Sequence, residues 1–287
     1  MNIIILHNEK SGSRNRIRLI KRIKNKLSLK HNVELISFDD IKNLNLTKIN
    51  TEQKDLIIIS GGDSSVSYFV NNLKSFKIPY LVVPTGTGND FAKSLNLKRN
   101  INSVLKTIDK FDVQNLSSII SNKDNIIINF ICFGFAAKVN RFANKFPRYL
   151  GINKYTIATF ISLFGKINET LKFESNEFNE NGDYTLAMFV VNSNNFGKDL
   201  LKLKNIENNK THLLLINKVN KLKFLYLFLL LQIGKHEGRK ELRVIPITSL
   251  KVSRLEGELL PQADGETISS GTKELNIEFE NLQFLRN

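Results

Sequence analysis

The first part of the chain alternates short, continuously apolar runs with longer amphipathic stretches. Short runs of Ile, Leu and Val are typical of strands that are buried on both faces, and they lie at residues 2–7, 33–38, 56–60 and 80–83. Apolar residues at helical spacing predict helices over 14–29, 101–109 and the later parts of 56–75 and 80–96. This order predicts a parallel sheet that helices cover on both faces.

After about residue 112 the pattern changes to apolar runs separated by turn signals. Strands are predicted at 111–120, 125–133, 184–192, 211–217, 239–245, 250–254 and 275–279. Two helical stretches interrupt them, near 155–171 and 221–233. Successive strands with few helices between them predict a mainly antiparallel sheet.

The longest apolar run, residues 222–233, is interrupted only by Lys223 and Gln232. A helix that spans a bilayer needs roughly 20 apolar residues, so this run is too short for a transmembrane segment. Lysines surround it, and such a helix could dock on an anionic bilayer. We favour the alternative, a helix packed between sheets, because runs of leucine are ordinary in protein cores.

The net charge of +15, from 42 Lys and Arg against 27 Asp and Glu, favours anionic partners: nucleic acid, anionic lipid headgroups or ATP. No recognisable nucleic-acid-binding motif accompanies the charge, so we expect no nucleic-acid partner. The lone Cys132 excludes an internal disulfide, and the first residues have the pattern of a strand and not of a signal peptide. We therefore expect a cytoplasmic protein.

Two glycine turns follow predicted strands. Residues 84–93 read Pro-Thr-Gly-Thr-Gly-Asn-Asp-Phe-Ala-Lys, and the strand at 56–60 runs into Gly61-Gly62-Asp63-Ser64-Ser65. Glycines at such turns let backbone N–H groups approach a phosphate closely, with the positive end of a helix dipole behind them. Two such units in tandem predict a site for a nucleotide phosphate.

Two further segments complete a set of four: Asn8-Glu-Lys-Ser-Gly12 after the first strand, and Asp264-Gly265-Glu266 far downstream. In this order the set resembles the diacylglycerol kinase catalytic family, which includes bacterial lipid kinases, sphingosine kinases and ceramide kinases. The resemblance implies an α/β nucleotide-binding domain of the NAD kinase/diacylglycerol kinase type and a mainly antiparallel, β-sandwich-like second domain. With the chain end returning to the first domain, the expected bounds are 1–112 plus approximately 280–287, and 113–279.

The resemblance also implies which residues carry the chemistry. A carboxylate must accept the proton of the lipid hydroxyl or hold Mg²⁺. The catalytic candidates are Asp264, Glu266 and Asp63; we place the general base in the late motif, and the metal candidates are Asp63 and Asp264. The residues expected to bind ATP are Asn8, Glu9, Lys10, Ser11, Gly12, Gly61, Gly62, Ser64, Ser65, Gly86, Thr87, Gly88 and Asn89.

Each motif also has a purely structural interpretation. Asp63 could cap the helix that follows it, Asn89-Asp90 could be another helix cap, and Asp264-Gly265 could be a plain hairpin turn. The joint occurrence in family order favours the functional interpretation.

The chain departs from the family pattern chiefly at Ser64-Ser65, where Gly-Thr is usual. If that glycine needs a positive φ or lies against phosphate, Ser64 would strain the loop or crowd the ligand. A structural Mg²⁺ site that bacterial members can have near 208–211 is doubtful, because its carboxylate is missing.

These observations predict an enzyme, an ATP- and Mg²⁺-dependent lipid kinase that phosphorylates a hydroxyl of diacylglycerol or a related lipid and attaches peripherally to the inner face of the membrane. The alternatives are a degenerate member that binds lipid or nucleotide without catalysis, and an NAD kinase-like enzyme, against which the segment 86–92 argues.

Overall fold

The computed structural model describes residues 1–9, 14–39, 44, 49, 51, 53–73, 77–86, 88–121, 125–147, 150, 153–191, 195–196, 201–203, 211–264, 266–268 and 272–287. The chain divides into two compact units. The first comprises Met1–Leu116 with Asn281–Asn287, and the second comprises Ser117–Glu280.

The first unit alternates strands and helices along most of its length. Its elements are β1 (Asn2–Asn8), α1 (Arg14–Leu27), β2 (Asn32–Phe38), β3 (Leu56–Gly61), α2 (Asp63–Leu73), β4 (Tyr80–Pro84), α3 (Asp90–Ser94) and α4 (Ile101–Lys110), followed by β5 (Val113–Ser121), which ends in the second unit. Each of the four apolar runs predicted as a strand forms one.

The second unit is rich in strands. Its elements are β6 (Asn125–Ile127), β7 (Phe130–Phe133), α5 (Gly134–Lys145), α6 (Asn153–Ser162), β8 (Glu169–Glu174), β9 (Asn179–Val191), β10 (Asn195–Phe196), β11 (Leu201–Lys202), β12 (Thr211–Asn217), α7 (Lys221–Gln232), β13 (Leu242–Pro246), β14 (Leu250–Arg254), β15 (Gln262–Ala263), β16 (Glu266–Thr267) and β17 (Glu274–Leu285), whose last residues belong to the first unit.

The sheet of the first unit is parallel. Its strands run in the order β2, β1, β3, β4, and Phe284 of β17 pairs with Tyr80 of β4 in the same direction. Strands β1, β3 and β4 are buried almost throughout because their side chains are apolar on both faces. The carboxyl ends of β1, β3 and β4 therefore lie side by side at one edge of this sheet.

The sheet of the second unit is antiparallel, with β9 at its centre pairing with β7, β8 and β12. Alternate residues of β9 point to opposite faces and enter two different cores. Ala187 and Phe189 belong to one core, and Leu186 and Met188 to the other, which α5 and α7 also line.

Two helix predictions in the second unit need correction. The helix expected over 155–171 ends at Ser162, and Glu169–Glu174 instead forms β8, in which Leu171 and Phe173 are buried on alternate positions. The stretch Gly134–Lys145, for which the sequence analysis predicts no helix, forms α5.

The apolar run at 222–233 forms α7, but the helix is not enclosed between sheets as favoured above. Phe224, Leu227 and Leu231 are buried on one face, whereas Leu222 and Leu229 on the other face are exposed. None of the helices within the described residues is long and apolar enough to cross a membrane.

Candidate functional site

The two glycine turns of the first unit lie directly against each other. A Cβ added to Gly86 would collide with the backbone of Gly62, and a Cβ added to Gly62 would come within 3.1 Å of the Gly86 Cα. Because the Cβ positions of the two glycines face each other, the absence of side chains lets the two backbones pack in contact at the carboxyl ends of β3 and β4, and we call this pair of backbones the glycine surface. Such a surface is suited to close approach by phosphate groups.

Asp63 links the two turns by hydrogen bonds. Its carboxylate accepts the backbone N–H of Asp90 at 3.2 Å and that of Phe91 at 3.0 Å, at the start of α3. Asp63 is thus a helix cap, as the structural interpretation allowed, but it caps α3 and not the helix that it begins. Burial raises the pKa of Asp63 above its usual value, and the two N–H donors oppose that shift.

Asn89 adopts the left-handed conformation, with φ of 56°, immediately before α3. Its side chain makes no capping hydrogen bond, so the cap role considered for it falls to Asp63. The Asn89 Nδ2 donates to the Gly86 carbonyl oxygen at 2.9 Å, while its Oδ1 is buried without a partner in the described part of the chain. An acceptor left unpaired beside the glycine surface is a candidate contact for a ligand donor.

The predicted motif after β1 meets the one after β3. Asn8 Nδ2 donates to the Ser65 Oγ at 3.1 Å, and Glu9 is exposed. Lys10, Ser11, Gly12 and Thr87 were also predicted to bind ATP, but they lie outside the described residues.

Ser64 does not have the backbone strain that the missing glycine suggested. It is the second residue of α2, and its side chain is exposed. The non-glycine residues with positive φ in the described chain are Asn89, Asn96, Phe111 and Asp264. A serine at position 64 is therefore compatible with the conformation of this turn.

The sequence analysis did not predict a buried polar network of three residues next to the glycine turns. His7 Nδ1 and Ser60 Oγ, near the ends of β1 and β3, are 2.9 Å apart, and Ser60 Oγ is 3.3 Å from Oγ1 of Thr85, the residue after β4; all three residues are buried. Burial lowers the pKa of His7 below its ordinary value of 6.5. The signal that could have revealed this network is a polar residue ending each of three otherwise apolar runs.

A cationic residue near the turns was also missed. The guanidinium of Arg16, on α1, donates a hydrogen bond to the Thr85 carbonyl oxygen. Burial lowers the pKa of Arg16 below its usual value, and the positive charge of nearby Arg99 lowers it further. Two positive charges near a glycine turn favour an anionic ligand.

In the second unit, Asp264 and Glu266 belong to the hairpin of β15 and β16, in which Ala263 pairs with Glu266. The turn residue Asp264 has a φ of 49°. Its Oδ1 accepts the backbone N–H groups of Asn129 at 3.0 Å and Phe130 at 3.2 Å, and its Oδ2 accepts that of Ile128 at 2.9 Å. The carboxylate is therefore held in one orientation, while Glu266 is exposed.

The expected metal ligands do not by themselves form a metal site. Among the described residues no group of three or more His, Cys, Asp or Glu side chains is placed to hold an ion. Asp63 and Asp264 both use their carboxylates to accept backbone hydrogen bonds. Any Mg²⁺ bound here would need further oxygen ligands, which nucleotide phosphates can supply.

Comparison with known proteins relates this geometry to a family. Residues 2–119 match the family model of the diacylglycerol kinase catalytic domain. A Staphylococcus haemolyticus protein named "Putative lipid kinase SH2167" is 26% identical over 162 residues, which are 53% of this chain and 50% of that protein. The matches to such curated relatives therefore span about half the length of each.

Solved structures extend the comparison to the whole fold. A Bacillus anthracis protein described as a "putative diacylglycerol kinase" superposes with a TM-score of 0.76 at 19% identity and covers 100% of this chain and 97% of its own. An NAD kinase from Archaeoglobus fulgidus, solved in complex with ATP, gives a TM-score of 0.58 at 13% identity, covering 100% and 94%. The predicted fold class is confirmed. Residues 2–119, which match the diacylglycerol kinase catalytic domain model, contain both glycine turns.

Proposed function

We propose that this protein is an ATP-dependent lipid kinase that transfers the γ-phosphoryl group to a hydroxyl of diacylglycerol or a related lipid. The observation that carries the proposal is the bare backbone surface of Gly62 and Gly86 within a diacylglycerol kinase catalytic domain. Phosphoryl transfer depends on positioning and charge neutralisation more than on covalent chemistry. Backbone without side chains lets phosphates approach closely and so serves their positioning.

The first unit has groups that fit ATP. The Gly62 and Gly86 backbones would lie against the phosphates, and Asn89 Oδ1 would accept a hydrogen bond from the nucleotide. Arg16 and Arg99 supply positive charge near Thr85. In this proposal Asn8 acts through Ser65, whose hydroxyl it holds at the start of α2.

Mg²⁺ would enter with the nucleotide and neutralise charge on its phosphates. Asp63 directly follows Gly62, and its hydrogen bonds to the backbone N–H groups of Asp90 and Phe91 fix its position. Asp264 remains our second candidate ligand. Its three backbone donors hold the carboxylate in one orientation.

The late motif remains our proposal for the general base. Asp264 is oriented by Ile128, Asn129 and Phe130, so its position does not depend on a flexible side chain. Glu266, two residues on, is exposed and can reach solvent. The proposal assigns proton acceptance to this pair and nucleotide placement to Asp63.

The test is transfer of labelled phosphate from γ-labelled ATP, with Mg²⁺, to a total lipid extract. Wild type is compared with Asp264→Asn, which preserves more of the local hydrogen bonding than alanine would. A labelled lipid that disappears in the variant supports the proposal, and its chromatographic mobility identifies the substrate class. Folded wild-type protein that labels no lipid class in several detergents contradicts it.

A non-catalytic nucleotide- or lipid-binding protein is the second candidate function, and Ser64 favours it. Although Ser64 is compatible with the turn, its hydroxymethyl group occupies a place at which the family usually has no side chain. The double variant Ser64→Gly/Ser65→Thr separates the two candidates. Activity found only in the variant supports the non-catalytic function, whereas equal activity in both proteins excludes it.

The NAD kinase alternative has the shared fold in its favour. An assay that couples phosphorylation of NAD to an NADP-specific dehydrogenase tests it directly. Formation of NADP, together with no labelled lipid, would replace our proposal.

A further inference from the structure

The second unit exposes an unusual number of large apolar side chains on two of its helices. We call them the α6–α7 apolar surface, and it consists of Ile157, Phe160, Ile161, Phe164, Leu222, Tyr226, Leu229 and Ile233. Phe164 is 91% exposed and Leu222 is 79% exposed. Clusters of exposed apolar residues mark interaction sites more often than single ones do.

Each helix contributes one continuous stripe to this surface. On α6 and the residue pair after it, the exposed positions follow the spacing i, i+3, i+4, i+7. On α7 and the residue after it, they follow i, i+4, i+7, i+11. The opposite stripes, with Ala158 on α6 and Phe224 and Leu227 on α7, are buried. Both helices are therefore apolar on two sides, one packed on the unit and one facing outward.

The chain segments that flank the two stripes meet at one point. Asn168 Nδ2 donates to the Val219 carbonyl oxygen at 3.4 Å, which brings together the chain after α6 and the chain before α7. Lys218 lies 2.9 Å from the Asp183 carboxylate, and the charge of Lys166 acts on the same group. Phe164 and Leu222, the most exposed members, lie within four residues of this junction in sequence.

Positive charge borders the surface. Residues 218–240 contain six cationic side chains and the single carboxylate of Glu237, and residues 153–166 add Lys154 and Lys166 without an acidic residue. Lys223 and Arg239 lie over the ring of Tyr226, at 5.8 Å and 5.5 Å from its centroid. Lys218 and Lys223 also pair with carboxylates, while Lys221 and Lys235 project into solvent.

We propose that the α6–α7 apolar surface docks on an anionic lipid bilayer, with Phe164 and Leu222 entering the headgroup–acyl boundary and the bordering lysines contacting lipid phosphates. An amphipathic helix with cationic flanks binds a bilayer by apolar burial and by attraction to anionic lipid together. A second copy of the chain is a poorer occupant, because pairing this surface with itself would bring its cationic borders together.

Vesicle flotation without nucleotide tests this docking separately from phosphoryl transfer. The probes are vesicles of phosphatidylglycerol with phosphatidylcholine, and vesicles of phosphatidylcholine alone. We expect wild type to float with the anionic vesicles and much less with the neutral ones, and added salt to weaken the binding. The double variant Phe164→Gln/Leu222→Gln should reduce partition about tenfold or more, since two apolar side chains no longer enter the bilayer.

The matched control is Leu29→Gln, because Leu29 is 77% exposed but lies at the end of α1 in the first unit. A second variant, Lys221→Glu/Lys235→Glu, should remove the preference for anionic vesicles and leave secondary structure unchanged. Equal partition of the Phe164/Leu222 variant and wild type would overturn the proposal. It would be overturned equally by a wild-type dimer that the same variant dissociates, with no flotation of either protein.

If the protein floats with vesicles but labels no lipid, the docking proposal is supported and the kinase proposal is contradicted. If the protein phosphorylates detergent-dispersed lipid but does not float, the kinase proposal is supported and the docking proposal is contradicted. The two proposals therefore fail independently.

Discussion

Asp264→Ala is expected to destabilise the second unit strongly, apart from any effect on catalysis. The Asp264 carboxylate accepts three backbone N–H bonds, at 2.9, 3.0 and 3.2 Å, from residues more than 130 positions earlier in the chain. Alanine removes all three acceptors and leaves the donors of the turn between β6 and β7 without their partner. It also places a residue without a side-chain acceptor at a φ of 49°.

The magnitude follows from these contacts. Because Asp264 is only half-buried and water can replace part of what is lost, we take about 1 kcal/mol for each hydrogen bond. The left-handed backbone adds about 1 kcal/mol for alanine. The free energy of unfolding of the second unit should therefore fall by about 4 kcal/mol.

Asp264→Asn is the matched variant. Its amide oxygen can replace Oδ1, which accepts from Asn129 and Phe130, and asparagine tolerates the left-handed conformation. Only the bond from Ile128 is lost, so we expect a destabilisation of about 1–2 kcal/mol. Asparagine is accordingly the better substitution in the kinase assay.

The stability of the second unit can be measured by labelling the single cysteine of the chain in urea. Cys132 is fully buried in β7 and pairs in register with Gln262, next to the Asp264 hairpin. Burial raises the pKa of its thiol to about 12, so the thiol in the folded protein should not react with a disulfide reagent at neutral pH. The labelling rate at increasing urea concentrations then reports the opening of the second unit, and not a two-unit average.

The order in which wild type and the two variants open with increasing urea tests the hydrogen-bond argument. We expect wild type to resist urea best, Asp264→Asn to open at a slightly lower concentration and Asp264→Ala at a much lower one. Equal labelling curves for the two variants would refute the hydrogen-bond argument, and so would an alanine variant as stable as wild type.

Three further predictions concern the first unit. Gly86→Ala should abolish ATP binding measured by calorimetry or destabilise the first unit, because the Cβ of the alanine has no room beside Gly62. The control is Gly182→Ala, which should do neither, because its Cβ would come no closer than 3.4 Å to a neighbouring atom. Ser64→Gly should lower the free energy of unfolding only slightly, by about 0.5 kcal/mol, and shift the urea midpoint accordingly, since glycine is the poorer helix former. A stabilised variant would mean that Ser64 is strained. Because the pKa of His7 is lowered in the folded protein, the unfolded state binds a proton first as the pH falls below 6.5, and the free energy of unfolding should decrease from there toward the lowered pKa. His7→Asn should remove that part of the pH dependence. An unchanged pH profile of stability in the variant would contradict this prediction.

Much of the first unit could be predicted from local pattern alone. Continuous apolar runs specify β1, β3 and β4, because a strand buried on both faces needs no polar side chain, and the glycines after β3 and β4 mark the turns at which a backbone can approach phosphate. The motifs after β1, β3 and β4 predicted the family whose model residues 2–119 match. These features depend on neighbours in sequence, so the sequence displays them directly.

The rest depended on contacts between distant residues. Local pattern could not show that Asp63 caps α3, 27 positions away, or that Asp264 is held by the turn after β6, because a carboxylate finds its donors only when the chain is folded. Glu169–Glu174 is a strand because β9 and β14 pair with it, although its apolar spacing also suited a helix. The sequence determined that α7 is an apolar helix; only the tertiary structure decided which face is buried, because hydrophobicity favours burial without specifying against what.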